Sequence, residues 1–435
     1  MSIGRRWIGS PPQGERAGGR PRAARLGSVR PVDGYRAFIL DLDGVLYRGD
    51  EVVPGAPQAV QALRDAGRIL VFLTNNSART PDQVAGKLAS MGIATSTDEV
   101  VTSAQAAAPL VARRAEEEGR PRTAFVIGER GIREALDAAG IEVVDGEPAE
   151  VGFVVVGWDR HVDYEKLRAA SVLVGRGARL VATNADASYP APGGDLWPGA
   201  GSLLAAVETA SATRAEVVGK PYRPLFDAAV ERAGTEDALV VGDRIETDIS
   251  GAVAAGLDAA LVLTGAAGPG DLLDHDALPA MVLAGPGDVV EDRPPGRIRE
   301  AVAEDAWRIA GLLKEAGLVP EEPVADGAVV IGEDHLEATA AAAVRGDSAY
   351  LHSVAVREEA RGSHVGTLAV AAAARRAVRD GGRRLFLLTE DAEGFFRTMG
   401  FRRTDRRDLP GWILERSTSC SESAVAMRRD LAPPQ

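Results

Sequence analysis

The sequence predicts an α/β protein: a doubly wound parallel-sheet core, an inserted α/β layer, and a separate α+β unit at the C-terminal end. Three observations predict it. Short apolar runs alternate with amphipathic stretches from Arg36 onward, as they do in strand–helix units. A second such alternation interrupts the first between Ser103 and Tyr189. Arg293-Pro-Pro-Gly296 then breaks both helix and sheet, and a new pattern begins at Arg297. A length of 435 residues exceeds what one core usually organises.

The elements follow in order. The first 36 residues hold eight arginines against Glu15 and Asp33 among many glycines and prolines, so residues 1–35 read as a basic, disordered tail. Taking that +6 from the formal net charge of −13 leaves −19 on the remainder. A strand is expected over Ala37–Leu42, a helix over Pro57–Ala66, and a strand over Ile69–Leu73. A further helix opens at Thr80-Pro81, where Thr caps and Pro fits the first turn. Residues 36–102 and 190–292 are therefore assigned to the core, with 103–189 inserted between them. Within the insertion, helices are expected over Ala104–Glu118 and Glu129–Ala139, and strands over Thr123–Gly128 and Gly152–Val156. The Pro/Gly-rich loop Ser188–Gly201 returns the chain to the core, whose later strands are Ala238–Val241 and Ala259–Leu263. Residues 293–296 form the linker, and 297–435 the last unit, which opens with a strand at Arg297–Glu300 and a helix over Ala303–Ala316.

Composition narrows the function. The acidic balance argues against a protein built to grip phosphate backbones, so nucleic acid is not an expected partner. One cysteine, Cys420, excludes an intrachain disulfide or a multi-thiolate zinc site and suits the cytoplasm. No uncharged apolar run reaches the length of a membrane helix, so no membrane association is expected. Oligomeric state stays open, a homo-oligomer included.

Chemistry concentrates at strand ends. In Phe38-Ile-Leu-Asp41-Leu-Asp43-Gly44, two carboxylates appear where an apolar strand runs into its loop, the edge at which open α/β sheets bind ligands. One acid can attack phosphorus while the other protonates the leaving oxygen and later activates water. After the second strand, Thr74-Asn75-Asn76 offers a hydroxyl, amides and backbone N–H groups just before a helix, a natural seat for phosphate. Lys220 is one of only four lysines in the chain and supplies a compact charge for a phosphoryl oxygen. Strand Ala238–Val241 ends in Gly242-Asp243, with Asp248 five residues on. A phosphate dianion cannot approach Asp41, Asp43 and Asp243 unless a divalent cation and Lys220 offset the repulsion, and Mg²⁺ prefers such oxygen donors.

These motifs resemble those of the haloacid dehalogenase superfamily of phosphatases, in particular subclass IIA, the 4-nitrophenyl phosphatase-like enzymes, over about residues 35–292. The resemblance implies a Rossmann-like core and an α/β cap that selects the substrate. It also implies Asp41 as nucleophile and Asp43 as acid/base, Thr74, Asn75, Asn76 and Lys220 around the phosphate, and Mg²⁺ held by Asp41, Asp243 and the Asp43 carbonyl with Asp248 behind them. Ala182-Thr-Asn184-Ala-Asp186 looks like the cap's hinge-side signature, and Gly157-Trp158-Asp159-Arg160-His161 follows a cap strand. The implied partner is a small phosphorylated metabolite, glycerol 3-phosphate first, with phosphoglycolate and nucleotides as rivals.

The last unit resembles a GCN-type N-acetyltransferase domain. Its Arg361-Gly-Ser-His364-Val-Gly366 matches the family's pyrophosphate loop except that His364 replaces the first glycine, and Phe396 stands where a general-acid tyrosine is common. That resemblance implies acetyl-CoA as a second cofactor, held by Val354, Val356, Arg361 and Gly366. The stretch Ser419-Cys420 to Met427 resembles the terminal strand region of acetylating enzymes. The unit is either catalytic or a non-catalytic acetyl-CoA sensor.

Overall fold

The computed structural model describes residues 30–190, 195–291, 297–320, 324–333, 335–417, 421 and 423–433. The expected tail up to residue 29, the 293–296 linker and Cys420 lie outside the described residues. The described chain forms two compact units: one spans Val32–Gly265 with Ala284–Val290, and the other combines Ala266–Leu283 with the chain from Glu291 onward.

In the first unit, five parallel strands run in the order Asp258–Val262, Ala238–Gly242, Ala37–Asp41, Ile69–Thr74, Val100–Thr102. Ala37, Phe38 and Ile39 are completely buried and Leu40 is 3% exposed, as expected of a central parallel strand covered on both faces. Register sets the site: Asp41 pairs with Leu73 and Leu40 with Val241, so Asp41, Thr74 and the Gly242–Asp243 turn share one sheet edge. Helix Pro81–Ser90 opens as its sequence predicts, with Thr80 and Gln83 forming a reciprocal capping box and Pro81 in the first turn.

The cap is a second parallel sheet in the order Glu216–Val217, Arg179–Ala182, Phe153–Val156, Thr123–Ile127, Glu142–Val144. It reaches farther along the chain than residue 189. Strand Glu216–Val217 forms its edge, and Leu203, Leu204 and Val207 of helix Ala200–Ser211 pack into the cap's apolar cluster with Ala170 and Leu173. The Pro/Gly signals around residues 188–201 mark a hairpin, Ser188–Pro190 against Leu196–Pro198, rather than the return to the core.

The C-terminal unit is a seven-stranded mixed sheet in the order Ile298–Glu300, Ala328–Ile331, Ala338–Arg345, Ser348–Val356, Arg384–Thr389, Val425–Asp430, Arg402–Arg403. Helix Val365–Arg379 buries most of its length against it. The opening helix is shorter than expected: Ala303–Asp305 is a 3₁₀ turn and the α-helix runs over Ala306–Glu315. No helix among the described residues is long and apolar enough to cross a membrane.

Candidate active site

Where strand Ala37–Asp41 ends, Gly44 takes φ +84°, and a Cβ there would lie 2.2 Å from Asp243 Oδ2. Gly265 makes a comparable approach from the other side, at 1.9 Å. Only glycines allow the two loops to close on the Asp243 carboxylate. Asp248 follows on a wide, π-type turn, Ile245–Ile249, and its Oδ2 accepts the Arg244 backbone N–H at 3.0 Å.

Lys220 Nζ lies 2.6 Å from Asp41 Oδ1 and 2.6 Å from Asp248 Oδ1, with its side chain only 4% exposed. Asn75 fixes this geometry: its Oδ1 accepts the Lys220 backbone N–H at 2.7 Å, and its Nδ2 donates to the Lys220 carbonyl and to Asp186 Oδ2. The sequence places Asn75 around the phosphate; in the structure its side chain grips the peptide that carries the lysine. Asn184, from the hinge-side signature, donates to the same Asp186 oxygen at 2.8 Å. Thr74 Oγ1 accepts the Asn76 N–H, and Asn76 Oδ1 accepts that of Ala78, which shapes the turn before the next helix.

Carboxylate oxygens of Asp41, Asp243 and Asp248 lie within 4.8 Å of one another. Three acids against one ammonium leave a buried deficit of positive charge. Burial pushes the Asp41 carboxyl up, Lys220 pulls it down, and Asp248 with Asp243 raises it again, to about 8. Burial alone would lower the Lys220 ammonium, but Asp248 and Asp41 outweigh it and hold the pKa above the ordinary lysine value. An all-oxygen set this electron-rich fits a hard divalent cation and offers no soft ligand.

Asp43 stands apart from that cluster, exposed at the mouth of the crevice. Partial burial nevertheless raises its carboxyl, against Lys87 and the backbone N–H groups of Gly49 and Gly44, which lower it. Lys87 is a contributor that sequence reading passes over. Its Nζ sits 3.9 Å from the Tyr47 ring centroid and donates to the Gly49 carbonyl at 2.7 Å. Its signal was its rarity, shared with Lys220.

The cap contributes rings. Trp158 and Tyr189 meet at 4.5 Å between centroids, Tyr189 and Trp197 at 6.1 Å, and Arg160, paired to Glu129 at 2.8 Å, lies over Trp158. Neighbouring Gly157 fits against Ser77 and Thr183, since a Cβ would come within 2.6 Å of either hydroxyl, which places this cluster beside the Thr74–Ser77 turn. Asp159 is buried and spent on Lys166 at 2.8 Å, and on the His161 backbone.

In the C-terminal unit, strand Ser348–Val356 pairs with Arg384–Thr389 only over Ser348–Tyr350, leaving Val354 and Val356 beyond the paired segment. Arg361 is exposed on the following loop. Gly366 sits close to Val356: a Cβ would be 2.9 Å from its Cγ2. His364 adopts φ +62°, the left-handed conformation that a glycine takes freely, so the loop keeps a glycine-like course at that position. Phe396 is buried in edge contacts with Phe395 and Phe401, an anchor with no proton to give.

Acids gathered at the carboxyl edge of a parallel sheet, bridged by one buried lysine, define a phosphoryl-handling α/β hydrolase. Residues 38–142 match the haloacid dehalogenase-like hydrolase family, residues 217–288 the HAD-hydrolase-like family, and residues 302–401 the acetyltransferase (GNAT) family. The chain is 38% identical over 233 residues to the 5'-nucleotidase YutF of Bacillus subtilis, covering 53% of this chain and 88% of that protein. It is 38% identical over 274 residues to human chronophin, covering 58% and 93%. Among solved structures, a glycerol phosphate phosphatase from Mycobacterium tuberculosis in complex with magnesium aligns over 85% of this chain and 98% of its own, with a TM-score of 0.67 and 26% identity. The chain belongs to the haloacid dehalogenase-like hydrolases, with subclass IIA phosphatases as its relatives, and carries a C-terminal GNAT domain. It is a hydrolase of phosphoric monoesters.

Proposed function

We propose that the chain is a magnesium-dependent phosphomonoesterase that works through an aspartyl-phosphate on Asp41, in the cytoplasm, with glycerol 3-phosphate as its first candidate substrate. The observation that carries this reading is the contact of Lys220 with both Asp41 and Asp248 beside Asp243. Mg²⁺, held by the Asp41 and Asp243 carboxylates with the Asp43 carbonyl and backed by Asp248, would neutralise the phosphoryl oxygens. Lys220 aims Asp41 and offers its ammonium to a phosphoryl oxygen, while Thr74 and the N–H groups of the following turn receive the others. An Asp41 oxygen attacks phosphorus as the ester P–O bond breaks, and Asp43 gives its proton to the departing alkoxide. Asp43, now ionised, takes a proton from water as that water attacks the phosphoryl-aspartate, and inorganic phosphate leaves with Asp41 restored. The raised carboxyl of Asp43 suits the first role, because it must enter the cycle protonated.

The test is 4-nitrophenyl phosphate hydrolysis with and without Mg²⁺. An Asp41→Asn chain is expected to lose turnover, and parent-like rates in that chain would overturn the reading. A phosphate-release panel of glycerol 3-phosphate, phosphoglycolate and nucleoside monophosphates tests the substrate. The Trp158, Tyr189 and Trp197 rings favour the nucleotides as second candidates, since flat rings stack on flat leaving groups. For the C-terminal unit, the parting of the strands after Tyr350 and the Arg361–Gly366 loop support acetyl-CoA binding along Val354, Val356, Arg361 and Gly366. Calorimetric titration with acetyl-CoA tests this, and a phosphatase rate unchanged by saturating acetyl-CoA would remove a sensing role.

A further inference from the structure

A cavity of about 510 Å³ opens within the C-terminal unit, lined by four arginines, Arg397, Arg402, Arg428 and Arg429, and two acids, Asp271 and Asp430. All of the lining residues belong to that one compact unit, and none lies in the Arg361–Gly366 loop or near Asp41 in sequence. The lining carries four guanidinium groups against two carboxylates, and the ion pairs made there among the described residues engage only two of the four arginines. Arg397 pairs with Glu393 at 2.7 Å, and Arg429 with Asp274 at 2.6 Å and with the Met399 carbonyl. Asp271 accepts the Gly268 backbone N–H at 2.8 Å. Arg402 and Arg428 have no ion-pair or side-chain hydrogen-bond partner among the described residues.

Sheet register sets two of these cations, both exposed, against each other. Arg402 and Arg428 are direct partners across the antiparallel pairing of Arg402–Arg403 with Val425–Asp430. Like charges directly opposite each other on neighbouring strands destabilise the sheet. Neighbouring cations do find a partner: Glu393, on helix Glu393–Thr398, bonds Arg403 at 2.6 Å as well as Arg397. A glycine in the lining lets Arg429 lie close against the backbone. Gly400 takes φ +80°, and a Cβ on it would lie 2.6 Å from Arg429 Nη1. A phosphoryl group fits this chemistry, because pairs of its oxygens accept the paired N–H donors of guanidinium forks.

We infer that the cavity bounded by Arg402 and Arg428 is a second anion site, which takes a small phosphorylated metabolite by its phosphoryl group, apart from the hydrolytic crevice. The site needs no divalent cation, since its own guanidinium groups carry the positive charge. The crevice differs: without a metal, Asp41, Asp243 and Asp248 repel phosphate. Removing metal therefore separates the two.

The experiment titrates inorganic phosphate into the full chain held in EDTA, by calorimetry, at low and high ionic strength. The expected result is saturable binding of one phosphate per chain, weakened by salt and unchanged by Asp41→Asn. Arg402→Glu should weaken it by tenfold or more. The same variant places opposite charges across the register, so in phosphate-free buffer its melting temperature should equal or exceed the parent's, which also verifies that it folds. No saturable binding to the metal-free parent, or equal binding by the folded Arg402→Glu chain, would overturn the inference. So would binding that is lost in Asp41→Asn and kept in Arg402→Glu, because it would assign the phosphate to the crevice.

Discussion

Lys220→Met replaces a buried ammonium with a side chain of similar length and leaves Asp41 and Asp248 facing each other without their bridge. The gross attraction across each 2.6 Å contact is about 6 kcal/mol at an effective dielectric near 20. Desolvation cancels much of that, and removing one member of a buried ion pair leaves a net cost of about 3–5 kcal/mol. For a unit of this size the loss corresponds to a fall of roughly 6–20 °C in melting temperature. Turnover should fall about 10²–10³-fold, as it does when one preorganised charge facing a transition state is deleted. Cation dependence is the sharper signature. With ionised acids the cluster carries about −2 in the parent and −3 in the variant, so Mg²⁺ should raise the variant's melting temperature more than the parent's. Scanning calorimetry with and without Mg²⁺, and single-turnover release of 4-nitrophenol, measure both. A variant within about 2 °C of the parent and within threefold in turnover would refute the reasoning, as would a Mg²⁺ increment smaller than the parent's.

Gly44→Ala places a methyl where Asp243 Oδ2 sits and forces a left-handed φ on a residue with a Cβ. Turnover should fall about 100-fold from the displaced carboxylate, with a higher Mg²⁺ requirement in a metal titration. Because the Asp43 carboxyl is raised, kcat/KM should decline as pH rises through its pKa, and Asp43→Asn should abolish that limb of the profile while slowing turnover. In the C-terminal unit, buried Asp305 takes Arg299 at 2.5 and 2.9 Å and the Val302 N–H, which hold its carboxyl down to about 2. Asp305→Asn should cost that unit about 1.5–3 kcal/mol at neutral pH by urea titration. A depressed pKa gives stability that is present above the unfolded value and lost as pH falls through the folded one, so the gap between parent and variant should close between about pH 4 and 2.

Much of the fold was legible because its central strands are buried on both faces. Ala37–Asp41 and Ile69–Thr74 read as unbroken apolar runs ending in functional residues, and Thr80-Pro81 announced its helix by capping chemistry. The cap's edge strands Glu142–Val144 and Glu216–Val217 did not, being two or three residues long with exposed glutamates or partial burial and no period to detect. Asp41 and Asp243 could be named from strand ends, Lys220 from its rarity among four lysines, and Asp248 from its place just beyond Asp243. That Asn75 would hold a peptide 145 residues away could not, because nothing local encodes that meeting. The facing of Arg402 and Arg428 likewise exists only in the register of two distant strands.

The central claim is that Asp41 becomes covalently phosphorylated. Acid-quenched turnover of the full chain with Mg²⁺ and a phosphomonoester, followed by peptide mass spectrometry, measures it directly. A phosphoryl adduct on the Ala37–Asp43 peptide at Asp41, absent from Lys220→Met quenched at the same time, is the predicted result. A chain that turns over fully while every quenched time point leaves Asp41 unmodified, or puts the adduct on another residue, would contradict it.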